Sequence, residues 1–312
     1  MNGTIAITDF GWYEFLLSQQ NIDEVNFWTP SAHFAFRGEA ASPFFFKLKT
    51  KYDNKICGFA YVAKYSKLPD WLAWDSFNLK NGCPSLESMR LKIHKIRKSI
   101  AYQGKNSNEI GCILLSQPHF FKEHEWIEGP KDWQKANLRY AYYDICSGEG
   151  LRIWNECLLR SELKQSVERP LITLLDNEGP RYGSPQLINP RLGQGLFRIS
   201  VLDAYSRACT VTNEHSLPAL EACHIKAYEQ NGPHEVSNGI LLRSDLHGLF
   251  DQGYITVTEK YNLEVSARLK LDFDNGKTYY PFHGKQISLP IKEEHKPSKI
   301  FLKWHNEEKY LS

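Results

Sequence analysis

The stretch Cys209–Thr258, CTVTNEHSLPALEACHIKAYEQNGPHEVSNGILLRSDLHGLFDQGYITVT, governs how the C-terminal part of the chain folds. It reads as strand, loop, strand, helix, strand. The apolar-rich segment Ala219–Ile225 lies between Pro218 and a loop carrying Asn231, Gly232 and Pro233, and so predicts a short strand. Gly239–Leu242 predicts a second. Ser244 and Asp245 offer a helix start, and Leu246, Leu249 and Phe250 give that helix an apolar face. Three polar groups have chemical capacity: His224 at the end of the first strand, Asn238 before the second, and His247 in the helix. Asp251 follows His247 by four residues, so both side chains leave one helix face. One imidazole can take a proton from water, while the other and the carboxylate hold a divalent cation near a phosphate.

The His–Asn–His order within LEACHI, VSNGILL and DLHGLFD closely resembles the HNH nucleases of the ββα-metal class. That resemblance implies catalytic roles for His224, as the base that activates water, and for Asn238, which fixes the loop and aims the base. It makes His247 a metal ligand, and Asp251 stands where related sequences carry a second ligand on the helix. Glu221 points to the opposite strand face from His224. It is a metal ligand reached by local twist, an outer carboxylate, or an ion-pair partner. Many HNH proteins carry an acidic residue or His directly before the base, and here that position is Cys223. A thin shell completed by water and phosphate oxygens suits Mg²⁺ or Mn²⁺ better than a closed zinc site.

At 312 residues two domains are the default. Hydrophobic content of 42% with 13% aromatic suffices for two packed cores. No run of eighteen apolar residues occurs and the N-terminus lacks a basic-then-apolar leader pattern, so a cytoplasmic protein with no membrane partner is expected. The seven cysteines never form CxxC, which argues against a disulfide framework and against structural zinc. A net charge of +2 says little by itself about nucleic acid; recognition would need a basic surface focused by folding. Walker A and GxGxxG patterns are absent.

In the N-terminal half, a strand at Thr4–Ile7 and a helix over Phe10–Leu17 precede the β-type segments SPFFFKLK, ICGFAYVAKYSKLP, IGCILLSQPHFF and RYAYYDI. Their alternation predicts a small mixed β-barrel with flanking helices. Ser85–Ser99 has helical period and a basic face, either touching phosphates or simply solvated. The stretch LPDWLAWDSFNLKNG sets Trp71, Trp74 and Phe77 among Asp75, Asn78 and Asn81. Rings beside amides and a carboxylate can stack a base and read its edge; the same composition also serves a Trp-rich core or a lid. The order WTP, FFFK, ICGFAYV, AWDSFNLKNG, IGCILL, PKDW, YYDICSGEG resembles a PUA-superfamily domain of the EVE branch. Joined to an HNH module, that is similar to modification-dependent restriction endonucleases, which flip a modified cytosine out of duplex DNA. The resemblance implies a pocket from Trp28, Trp74 and Asp75, then Trp71, Phe77 and Asn81. Asp75 would accept from the cytosine amine or cap a turn.

The fold class expected is therefore α+β, with a PUA/EVE-like reader over 1–160, a linker over 161–196 and an HNH nuclease domain over 197–312. Prolines and glycines between 170 and 195 mark the boundary, where Arg181, Arg191 and Arg198 could grip DNA phosphates or be incidental. A helix over Phe197–Ser206 should pack beneath the ββα unit, and the C-terminal tail should close the nuclease core or join a dimer contact. The function expected is cleavage of double-stranded DNA containing 5-methylcytosine or 5-hydroxymethylcytosine, by a homodimer because one HNH site cuts one strand. The rival expectations are a catalytically silent reader and an RNA-directed protein.

Overall fold

Three consecutive phenylalanines, Phe44, Phe45 and Phe46, are all fully buried, which requires a strand covered on both faces. In the computed structural model, residues 1–32, 36–99, 108–134, 139–168 and 193–312 are described. The chain divides into two units, Met1–Arg191 and Leu192–Ser312.

The first unit runs β1 (Asn2–Ile7), α1 (Phe10–Leu17), β2 (Glu24–Thr29), β3 (Pro43–Lys47), β4 (Ile56–Pro69), α2 (Asp70–Phe77), α3 (Leu86–Ser99), β5 (Glu109–Phe120), β6 (Tyr140–Asp144) and α4 (Gly148–Glu168). The strands form one six-stranded mixed sheet in the order β2-β5-β4-β3-β1-β6. Its single parallel pair is β1 with β3. Alternation sends Phe44 and Phe46 to one face, where Val25, Val62, Ile113 and Leu115 pack around Trp12, Tyr13 and Leu16 of α1. It sends Phe45 to the other face, with Ile5, Phe59 and Tyr61 against Ile153, Trp154 and Cys157 of α4. The expected mixed strands with flanking helices are present. A ladder between the end strands β2 and β6, which would close the expected barrel, does not occur among the described residues.

Two elements here were not expected from the sequence. The strand β2 carries Glu24 and Asn26 on its second face, and both are buried, so its alternation does not mark a solvent side. The aromatic-rich run Asp70–Phe77, with no element expected from the sequence, forms α2. It begins directly after Pro69, and Asp70 in its first turn forms a two-point ion pair with Arg90 of α3 at 2.8 and 3.0 Å.

The second unit runs α5 (Gln194–Ala204), β7 (Leu220–His224), β8 (Gly239–Arg243), α6 (Ser244–Asp251), β9 (Ile255–Val257), β10 (Leu263–Val265), α7 (Arg268–Phe273) and α8 (Lys299–Glu308). The pair β7–β8 is antiparallel, with Leu220 opposite Arg243 and His224 opposite Gly239. A Cβ at Gly239 would lie 2.4 Å from Val201 and 3.1 Å from the Phe197 ring, so only glycine lets β8 pass this close to α5. The helix α6 buries Leu246 and Phe250 beneath the hairpin. Arg243 and Tyr279 both bind the Asp245 carboxylate in its first turn, where negative charge suits the helix dipole. The tail closes this core: α8 buries Leu302 and sets the His305 ring 3.7 Å from that of Phe250.

In the first unit, the Asn81 side chain is fully buried and joins three segments. Its amide donates to the carbonyls of Ala73 and Asn78 at 3.1 and 2.9 Å, and its oxygen accepts from Asn26 at 2.9 Å. Asn81→Ala leaves these buried groups unpaired, so the expected loss is about 1–3 kcal/mol in a urea unfolding titration.

Candidate active site

Adjacent strand residues point to opposite faces, and that parity builds the site. On one face of β7, Glu221 and Cys223 meet α6. On the other, His224 lies under α5, its ring stacked on Phe197 at 3.8 Å between centroids. The strand thus supplies one face to α6 with His247 and Asp251, and carries His224 on the other.

The loop after β7 is closed by Asn238, which is fully buried. Its side-chain oxygen accepts from the backbone N–H of Lys226 at 2.9 Å. Its amide donates to the carbonyls of Lys226 and Pro233, both at 2.9 Å. Its own carbonyl accepts from the N–H of Ile225 at 2.9 Å. Asn238 therefore replaces the ladder bonds that the chain gives up where it leaves β7.

That closed loop returns a second imidazole to the base. His234 Nδ1 lies 3.0 Å from His224 Nε2, and its ring stacks on Tyr228 at 4.5 Å. His234 was not among the residues expected from the sequence. Burial, then the neighbouring His234 and His247, push the His224 imidazole down to about 4. At neutral pH the ring is therefore uncharged and able to accept a proton.

On the α6 face, His247 stands between two carboxylates. Its Nδ1 lies 2.5 Å from Glu221 Oε2, and its Nε2 lies 3.2 Å from Asp251 Oδ2. Among the described residues, Cys223, His247 and Asp251 each offer a ligand atom within 4.8 Å of the others. The Cys223 thiol lies 3.8 Å from Asp251 Oδ1. Asp251 foremost, then Cys223, raise His247 to about 11. The positions around Nε2 thus favour positive charge, which fits a divalent cation. Glu221 is absent from that set and pairs with Nδ1 of His247 instead. His247 and Asp251 meet as the sequence order places them, and the Cys223 thiol lies beside them.

The expected base pocket is distributed differently. Asn81 and Phe77 are buried in the core, with the Asn81 amide committed to backbone and to Asn26. Trp28 is half-buried, and its indole N–H donates to the Asn81 carbonyl at 3.0 Å. Trp71 and Trp74 are half-buried and Asp75 is exposed, all on α2. Spacing of three and four residues puts these last three on one side of the helix. Arg198 is half-buried on α5, whereas Arg181 and Arg191 lie outside the described residues.

Residues 209–258 match the family model described as HNH endonuclease, and the C-terminal unit carries that nuclease domain. No curated protein matches the chain. Among solved structures, a mutant ZmASCH protein from Zymomonas mobilis overlays with a TM-score of 0.31 at 8% identity, covering 49% of this chain and 96% of that one. An overlay at that score carries no argument about fold. Among the described residues no helix is long and apolar enough to cross a membrane.

The end of α6, which carries Asp251, is tied to α8 by His305. Its Nε2–H donates to the Phe250 carbonyl at 3.1 Å, and Nδ1 pairs with the Thr256 hydroxyl at 2.8 Å. Burial pushes this ring from 6.5 down to about 4. The unfolded chain therefore takes up the proton first as pH falls, so His305 costs no stability above about 6.5 and progressively more down to about 4. The expected loss across that window is about 3 kcal/mol. Urea titrations of the wild type and His305→Gln should show the steeper acid loss in the wild type.

Proposed function

We propose that the chain is a DNA endonuclease whose N-terminal unit reads a modified cytosine and whose C-terminal unit hydrolyses a phosphodiester bond. The observation that carries the nuclease half is the grouping of Cys223 from β7 with His247 and Asp251 from α6 around one point, with His224 the next residue of that strand. A divalent cation at that group would supply Lewis-acid stabilisation of charge on the phosphate oxygens. His224 accepts the proton of the attacking water, and Asn238 keeps the loop that bears it in register. His234, in contact with His224, gives the accepted proton a second imidazole to move to. Glu221 holds the Nδ1 proton of His247, leaving Nε2 toward the cation.

The reader half rests on the sequence resemblance to PUA/EVE-type domains and on the placement of the indoles. Trp28 is fixed through its N–H, and Trp71, Trp74 and Asp75 share a helix side. We assign the stacking of a flipped base to the three indoles and acceptance of a hydrogen bond from its exocyclic amine to Asp75, with Phe77 and Asn81 supporting them from the core. A double-strand break then needs two nuclease units, which makes a homodimer on DNA part of the proposal. Restriction of modified foreign DNA in the cytoplasm is the role this reading fits.

The test compares matched duplexes carrying cytosine, 5-methylcytosine, 5-hydroxymethylcytosine or glucosylated hydroxymethylcytosine, each with Mg²⁺ or Mn²⁺. Cleavage is expected only on modified duplexes; equal cleavage of plain cytosine removes the reader and keeps the nuclease. His224→Ala should lower the cleavage rate by about 10²–10⁴-fold or more while DNA binding stays intact. Unchanged cleavage by that variant would overturn the role of the base.

A further inference from the structure

We infer that Cys223 is itself a ligand of the nuclease cation, which makes this a sulfur–nitrogen–oxygen site that takes a thiophilic ion such as Zn²⁺ or Co²⁺ ahead of Mg²⁺. The inference rests on the nuclease reading and deepens it by naming the class of ion.

Three observations support it. The Cys223 sulfur, a His247 ring nitrogen and an Asp251 oxygen all lie within 4.8 Å of one another, a spread that one ion can span. Strand parity puts Cys223 on the same face as Glu221, so the thiol reaches this group without any local twist. Glu221 occupies Nδ1 of His247 at 2.5 Å, and Nε2 is the nitrogen that faces Asp251 at 3.2 Å. The imidazole is thus already turned to offer Nε2 to the group that holds Cys223.

The donor set then decides the ion. Mg²⁺ requires oxygen ligands in near-octahedral array and binds thiolate poorly. Thiolate, imidazole and carboxylate together suit Zn²⁺ and its close analogue Co²⁺. Three protein ligands with a further position left for water or substrate is also the ligand count of catalytic rather than structural zinc. The fully buried Cys223 closes the inner side of the group, and the more exposed Asp251 leaves the outer side open to a phosphate.

The test uses the full-length protein stripped of metal and titrated with Co²⁺, followed by electronic absorption and by calorimetry. A sulfur-to-cobalt charge-transfer band is expected in the wild type. It should also appear in Cys146→Ser, which removes the one exposed cysteine among the described residues. The band should vanish in Cys223→Ser, Cys223→Asp and His247→Ala, each checked for folding by circular dichroism. Zn²⁺ affinity should fall on the order of 10–100-fold or more in Cys223→Ser, since loss of even an outer partner costs that range. Binding heat without the band in the wild type, or a band that survives Cys223→Ser, overturns the thiolate ligand. Metal-dependent cleavage would in that case leave the nuclease reading standing. Absence of both Co²⁺ binding and cleavage with any divalent ion would overturn the two together.

Discussion

The buried side chain of Asn238 is the constraint on which the nuclease unit depends. A strand that ends in a turn of irregular loop leaves backbone donors and acceptors without ladder partners, and burial makes each of them costly. The Asn238 side chain satisfies the Lys226 N–H and the Lys226 and Pro233 carbonyls. It thereby fixes where β7 stops. Because β7 stops at His224, that imidazole and the preceding Cys223 leave the strand on opposite sides. The same closure returns His234 to within 3.0 Å of His224.

Electrostatics on the two sides of β7 oppose each other, and this separates the roles of the two histidines. His224 sits against Phe197 and a second imidazole, surroundings that disfavour charge and keep the ring neutral. His247 sits between Glu221 and Asp251, surroundings that favour a cation at the same place. A single strand thus carries a group suited to accept a proton and, one residue earlier, a group suited to hold a metal. The helix α8 supports this from behind through His305, whose bond to the Phe250 carbonyl braces the residue next to Asp251.

Much of this unit was legible in the sequence, because period-two alternation, a Pro–Gly-rich loop and a helix start occur in the right order. His224, Asn238, His247 and Asp251 all fall where that order put them. The place of Cys223 beside His247 and Asp251 was not drawn from the sequence, although the parity that sent Glu221 away from His224 sends Cys223 the same way. His234 had no such signal, since it lies ten residues along from His224 and its approach depends on how the connecting loop folds back. In the first unit, β2 was hidden because Glu24 and Asn26 face a buried polar surface, where Lys80 pairs with Glu24 and Asn81 binds Asn26. The helix α2 was hidden because DWLAWDSF is rich in weak helix formers and buries residues on more than one side. The expected pocket divided accordingly: Phe77 went to the core because the helix turned it inward, and Asn81, beyond the helix end, because its amide pairs with Asn26 and with the carbonyls of Ala73 and Asn78.

Hydrolysis of DNA by the C-terminal unit through a divalent cation is tested most directly by nicking of supercoiled plasmid with the whole chain, before chelation, after chelation, and after return of Mg²⁺, Mn²⁺, Co²⁺ or Zn²⁺ singly. Nicking should stop on chelation and resume with at least one of these ions. Nicking that persists after chelation, or that no ion supports, would contradict it.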